Sequence, residues 1–196
     1  MLDLPDSGVN FVIPSGNFGD IYAGHVARQM GAPIAGLTIA TNENDILARA
    51  HTTGSYVPTA LKPTITPAMD IQVASNFERL LFEFLDHDAA ALRRLMADLE
   101  QHGGFALPAP ALSRFQRAFR ASAVSQPACR DRIARTHATT QYVADPETSL
   151  PAIVFWLMGS FSSSSWQKVV EHGPVILVAI ALLYRLRFRI AVLSMG

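Results

Sequence analysis

Val9-Asn10-Phe11-Val12-Ile13-Pro14-Ser15-Gly16-Asn17-Phe18-Gly19-Asp20 reads as a strand that breaks on a glycine turn and leaves it as a helix. Residues 9–13 are rich in β-branched and aromatic side chains, and Pro14 and Gly16 stop the run, the pattern of a short buried strand. A helix is expected from Asp20 to Met30, with Asp20 near its N-terminus and Gly31 as its stop. Residues 34–40 supply a second strand, followed by Asn42 and a helical stretch from Glu43 to about Ala50. That order predicts an α/β fold with a parallel sheet. Farther on, residues 76–102 carry Phe77, Leu80, Leu81, Phe84, Leu85, Leu92, Leu95 and Leu99 at helical spacing, with a break expected near Asp86–Asp88. Residues 103–128, with Gly103, Gly104, Pro108, Pro110 and Pro127, read as loop with one short helix.

The chain changes texture near Asp145–Leu150. Its 196 residues sum to zero formal charge, but the charge is unevenly divided. Residues 148–196 hold Lys168, Arg185, Arg187 and Arg189 against Glu171, a balance of +3, which leaves −3 on residues 1–147. An acidic first part without a basic patch argues against nucleic acid as a partner. The single cysteine, Cys129, excludes an internal disulfide framework. The histidines are scattered and show no metal spacing, so no metal site is expected. Met1-Leu2-Asp3-Leu4-Pro5-Asp6-Ser7 lacks the basic-then-apolar character of a secretory signal, and a cytoplasmic location is expected for residues 1–147.

The chemistry of this first part lies in Ser15-Gly16-Asn17-Phe18-Gly19. A glycine turn between strand and helix can aim several backbone N–H groups into one concavity, where the positive end of the helix dipole favours an anion such as phosphate. Gly16 and Gly19 permit positive φ and close approach, and Ser15 and Asn17 can add side-chain hydrogen bonds. On spacing alone the turn is equally a βα connection that binds nothing. It is neither a P-loop nor a dinucleotide fingerprint, since it lacks both the Gly-Lys-Ser/Thr end and the third glycine.

The wider string is more specific. Pro14-Ser15-Gly16-Asn17-Phe18-Gly19-Asp20-Ile21-Tyr22-Ala23-Gly24 resembles threonine synthase, a pyridoxal-phosphate enzyme of the tryptophan-synthase-β-like fold (fold type II). Two further blocks agree in order and spacing: Ala40-Thr41-Asn42-Glu43-Asn44-Asp45-Ile46-Leu47, and Thr66-Pro67-Ala68-Met69-Asp70-Ile71-Gln72-Val73 with Ser75-Asn76-Phe77-Glu78-Arg79-Leu80-Leu81-Phe82. The resemblance runs from about Val9 to Gly104 and more weakly to Asp145. It implies pyridoxal 5'-phosphate as cofactor, with Ser15, Gly16, Asn17, Phe18 and Gly19 around its phosphate. It also implies conversion of O-phosphohomoserine and water to threonine and phosphate, with the cofactor ring as electron sink. The family's Schiff-base lysine sits in a Ser-Phe-Lys-Asp-type motif before the phosphate loop. The lysines here, Lys62 and Lys168, stand outside such a motif, so no catalytic residue is assigned and the chain alone is expected to be inactive. The family segment that partners the pyridine nitrogen is not recognised after Asp145. Asp70 is read as a capping or pairing group for the helix after it rather than a substrate contact.

Residues 150–161 are apolar, and the uncharged run 173–184 leads into Arg185, Arg187 and Arg189. Twelve uncharged residues fall short of the ~20 that span a bilayer, but flanking residues and snorkelling stems extend them. The alternatives are a core helix or a membrane helix whose basic exit faces the cytoplasm. Phe155-Trp156-Leu157-Met158-Gly159-Ser160, Ser165-Trp166, Pro174 and Leu193-Ser194-Met195-Gly196 resemble an iron-siderophore (FecCD-type) ABC transporter permease. The expected organisation is therefore a threonine-synthase-like part, 1–147, fused to an apolar, helical, membrane-type tail, 148–196. That tail would contact membrane lipid and associate with the inner membrane.

Overall fold

The computed structural model describes residues 8–157. Strand β1 (Val9–Pro14) pairs in parallel with β2 (Ile34–Thr41), Ile13 opposite Ile39 and Pro14 opposite Ala40. Helix α1 (Gly19–Gln29) makes the crossover between them. Both helix ends fall a residue earlier than the sequence pattern suggests, within ordinary end fraying. Strand β2 is central: its other edge pairs in parallel with β5 (Arg120–Ala123), giving the order β1-β2-β5. Accordingly its residues Leu37–Thr41 are all buried, as a strand covered on both faces must be.

Across 103–128, read as loop with one short helix, α5 (Ala109–Ala118) is that helix, and the strand β5 is the correction. That stretch also contains β4 (Phe105–Ala106), antiparallel to β3 (Ser55–Tyr56). Arg120-Ala121-Ser122-Ala123 contains no β-branched or aromatic residue and so carries no strand signal of its own. The flanking residues make it a strand: Phe119 and Val124 are buried, and Val124 N donates to Thr41 O at 2.9 Å. Helix α2 (Ile46–Thr53) begins three residues later than expected, because Asn42 and Asn44 are engaged in side-chain bonds described below. The break in the long amphipathic stretch is where it was expected, between α3 (Phe77–Phe84) and α4 (Ala89–His102). Asp86 and His87 both take positive φ there, and Asp88 caps α4 by accepting from the Ala90 and Ala91 N–H groups.

Two apolar layers follow from the alternation of the strands. Ile13, Leu37 and Ile39 face a core shared with Phe18, Ile21, Leu47, Phe77, Leu80 and Phe115. Val12, Ala40 and Val124 face a second core containing Met69, Cys129, Leu150, Ile153 and Val154. The second face is covered by α6 (Gln126–Thr140) and α7 (Pro146–Leu157). The expected boundary between residues 147 and 148 thus falls in the first turn of a helix that packs on the sheet. No helix among the described residues is long and apolar enough to cross a membrane. The run 173–184 and Arg185, Arg187 and Arg189 lie outside the described residues.

One buried group works against the fold. The Thr41 hydroxyl is shielded from solvent and has no hydrogen-bond partner among the described residues. Valine has nearly the same shape without the stranded polar atom, so Thr41→Val is expected to raise stability by about 1 kcal/mol in urea or thermal unfolding. A lower melting temperature would show that the hydroxyl is satisfied in solution.

Candidate functional site

The C-terminal ends of β1 and β2 launch the loop. Ser15 N donates to Ala40 O at 2.9 Å, so the chain leaves the sheet in register with β2 before it turns. Ser15, Gly16, Asn17, Phe18 and Gly19 all line one cavity of about 270 Å³, together with Pro14, Asp20, Ala68, Met69, Asn76 and Glu147. Five residues consecutive in sequence therefore share one concave wall at a helix N-terminus.

The left-handed turn falls where the sequence did not suggest it. Gly16 and Gly19 keep ordinary φ, and it is Phe18, the N-cap of α1, that adopts φ 66° and ψ 3°. A non-glycine residue holds that conformation only when its surroundings over-determine it. Phe18 is 1% exposed and edge-on to Phe77, Phe115 and Phe119, with centroids 5.2, 6.3 and 5.7 Å away. The ring buried in the first core thus fixes the backbone that faces the cavity. The two glycines serve close approach instead. A Cβ on Gly16 would stand 3.0 Å from Met69 Cα and 3.1 Å from Ile71 Cδ1, and one on Gly19 would meet Asn76 Nδ2 at 3.2 Å.

The side chains expected to bind hold the loop itself. Ser15 is buried and its hydroxyl donates to Ile13 O at 3.1 Å. Asn17 Oδ1 accepts from Ser75 N and Ser75 Oγ, while Asn17 O accepts from Asn76 N and Nδ2, tying the loop to the start of α3. Among the described residues, the N–H groups of Gly16, Asn17 and Phe18 have no acceptor. The first turn of α1 adds further N–H groups that cannot bond within the helix. Such a nest suits an oxyanion with several acceptor oxygens. Its attraction for an anion comes from dipoles alone: no Lys, Arg or His is in the lining, and the ionisable residues there, Asp20 and Glu147, are acids whose charge opposes an anion.

Asp70 is structural, but it does not cap or pair within the helix after it, α3, whose N-cap is Asn76. Its Oδ1 accepts from Asn42 Nδ2 (2.8 Å), Asn44 Nδ2 (2.9 Å) and Thr64 Oγ1 (2.7 Å), and its Oδ2 from Thr64 N (2.8 Å). Sequence alone could not group these residues, whose partners lie 6 to 28 positions away. Lys62 is joined to the same cluster only through its backbone, N donating to Asn44 Oδ1 and O accepting from Asn44 Nδ2, and its side chain is exposed. Elsewhere, His25 is buried against Glu83 at 3.0 Å and bridges α1 to α3. Cys129 is buried, and burial first and Asp145 second push its thiol above the usual range, which keeps it unreactive.

Known proteins resemble this chain in sequence and in fold. The threonine synthase of Pseudomonas aeruginosa is 37% identical over 149 residues, which are 76% of this chain and 32% of that protein. That of Corynebacterium glutamicum is 37% identical over 183 residues, 90% of this chain and 36% of its own length. Among solved structures, pyridoxal-phosphate-bound threonine synthase from Brucella melitensis superposes with a TM-score of 0.76 at 42% identity, covering 82% of this chain and 34% of that one. Yeast threonine synthase gives 0.74 at 34% identity over 78% of this chain and 33% of its own. The model of the FecCD transport family matches residues 134–196. The chain spans about a third of the length of the curated relatives it matches. Most of this chain is homologous to a segment of threonine synthase, and its residues 134–196 match the FecCD transport family.

Proposed function

We propose that the Ser15–Gly19 loop holds the phosphate of pyridoxal 5'-phosphate, and that the chain is the cofactor-phosphate part of a threonine synthase. The observation that carries this is a run of N–H groups at the start of α1 without acceptors among the described residues, in residues that all line a cavity of about 270 Å³. Phe18 sets the turn, Gly16 and Gly19 let the backbone come close, and Asn17 locks the turn to Ser75 and Asn76. Bound there, the cofactor would supply an electron sink for the conversion of O-phosphohomoserine and water to threonine and phosphate, a lyase step of threonine biosynthesis. The role of this chain's residues in that reaction is to anchor and orient.

Neither lysine suits the Schiff-base role. Lys62 lies outside the cavity lining, and Lys168 lies in the residues matched by the transport family. The 196-residue chain by itself would therefore bind the cofactor phosphate without turning over substrate. The relationship to threonine synthase supports the cytoplasm as the site of this part. A second reading applies to the C-terminal residues. Their match to the FecCD family and the arginines after an uncharged run support a permease-like, lipid-contacting segment of an iron-siderophore importer. With α7 packed on the sheet, such a segment would begin after residue 157 rather than at 148.

Gly16→Ala tests the phosphate reading. The added Cβ meets Met69 backbone, so one wall must shift. Losing one N–H bond to a charged oxygen weakens phosphate binding about tenfold or more. Isothermal titration with inorganic phosphate, with circular dichroism to confirm the fold, measures this. Unchanged affinity in a folded variant would place the anion elsewhere.

A further inference from the structure

We propose that Asp70 is a positioning residue for the Ser15–Gly19 loop: it sets the distance between the loop and the opposite wall of the cavity without touching the ligand. The inference rests on the phosphate reading above. Asp70 does not line the cavity, but its neighbour Met69 does, and Met69 is the backbone that Gly16 approaches so closely. A short 3-10 turn, Pro67–Met69, presents that wall, closed by Met69 N to Thr66 O (2.9 Å) and Asp70 N to Pro67 O (3.1 Å).

Residues 57–66 before this turn have no regular structure, and side chains hold their backbone: Asn44 bonds Lys62 N and O, Gln72 accepts from Thr59 N, and Asn42 donates to Thr64 and Thr66. The Asp70 carboxylate ties this network to the turn. It gathers four donors from three segments: Asn42 at the end of β2, Asn44 before α2, and both the backbone and the hydroxyl of Thr64. No ion pair to Asp70 is present among the described residues, so neutral donors alone satisfy it. Asn42 lies two residues beyond Ala40, whose carbonyl receives the Ser15 N–H. Loop and opposing wall are thereby referenced to the same strand end, one through the backbone and the other through Asp70. An anion nest works only if its N–H groups converge to within a few tenths of an ångström, so this shared reference governs affinity.

Asp70→Asn nearly preserves shape but turns one acceptor into a donor that faces donors. In the full chain, the hydrogen-bonded amides of the loop and its anchors, Ser15, Met69, Asp70 and Asn76, are expected to exchange hydrogen roughly tenfold faster, with sheet amides such as Ile13 and Ile39 unchanged. Phosphate affinity should fall about fivefold to tenfold. Thr64→Val removes one side-chain donor and should give a smaller change of the same pattern, which serves if the asparagine variant does not fold. A uniform rise in exchange across loop and sheet, or none in the loop, would reduce Asp70 to a stability residue and overturn the inference. If the wild-type chain binds no phosphate, the phosphate reading falls, while the contrast between loop and sheet exchange still decides for or against Asp70.

Discussion

Phe18→Ala is expected to lower the stability of the fold by about 3–5 kcal/mol, among the largest losses available to a single substitution here. The ring is 1% exposed and packs edge-on against Phe77 of α3 and against Phe115 and Phe119 at the end of α5. Removing it costs the transfer energy of the ring and leaves a cavity that three other rings cannot all collapse into. A second loss is local. Alanine is not held at φ 66°, so the turn relaxes toward ordinary backbone conformations and the nest opens. Guanidinium unfolding should show an earlier midpoint with the slope preserved. Phosphate affinity measured well below the midpoint should fall as well. A loss under about 1 kcal/mol would mean that the aromatic cluster does not hold the turn.

The second large effect concerns α7. Leu150 and Val154 are each 1% exposed and pack with Ala40, Met69, Val124 and Cys129 on the second face of the sheet. Leu150→Ala is expected to cost about 2–5 kcal/mol. Ending the chain at Glu147 removes Leu150, Ile153 and Val154 together, exposes that face and should produce an aggregating protein by light scattering. A boundary at residue 147 makes the opposite forecast, a monodisperse 147-residue protein and a silent Leu150→Ala. Met69 belongs to this layer and also to the cavity wall, so loss of α7 should reach the phosphate loop.

The legible parts of the fold were those whose signals are local. The strand, turn, helix and second strand of residues 9–41 each announce themselves by β-branched runs, Pro14, Gly31 and helical spacing within a few residues. The break at Asp86–Asp88 was legible for the same reason, with Asp88 in place as a cap. The strand Arg120–Ala123 was not, because its conformation comes from the open edge of β2 and the burial of Phe119 and Val124, not from its own side chains. Propensity marks Gly16 and Gly19 as the residues that permit positive φ, whereas tertiary packing places it on Phe18. The Asp70 cluster joins residues far apart in sequence, and no period or spacing marks it. Hydropathy read residues 150–161 as the start of a membrane-type tail; for residues 150–154 a sheet face needing a cover gives the same apolar pattern.

The most direct test of the central claim follows amide chemical shifts of the full chain during titration with inorganic phosphate and then pyridoxal 5'-phosphate. Gly16, Asn17, Phe18 and Gly19 should move first and saturate together, with Asp20 and Met69 following and the β3–β4 residues still. Shifts that stay unchanged at Gly16–Gly19 in a folded sample, or that appear first elsewhere, would contradict the assignment of this loop as the phosphate site.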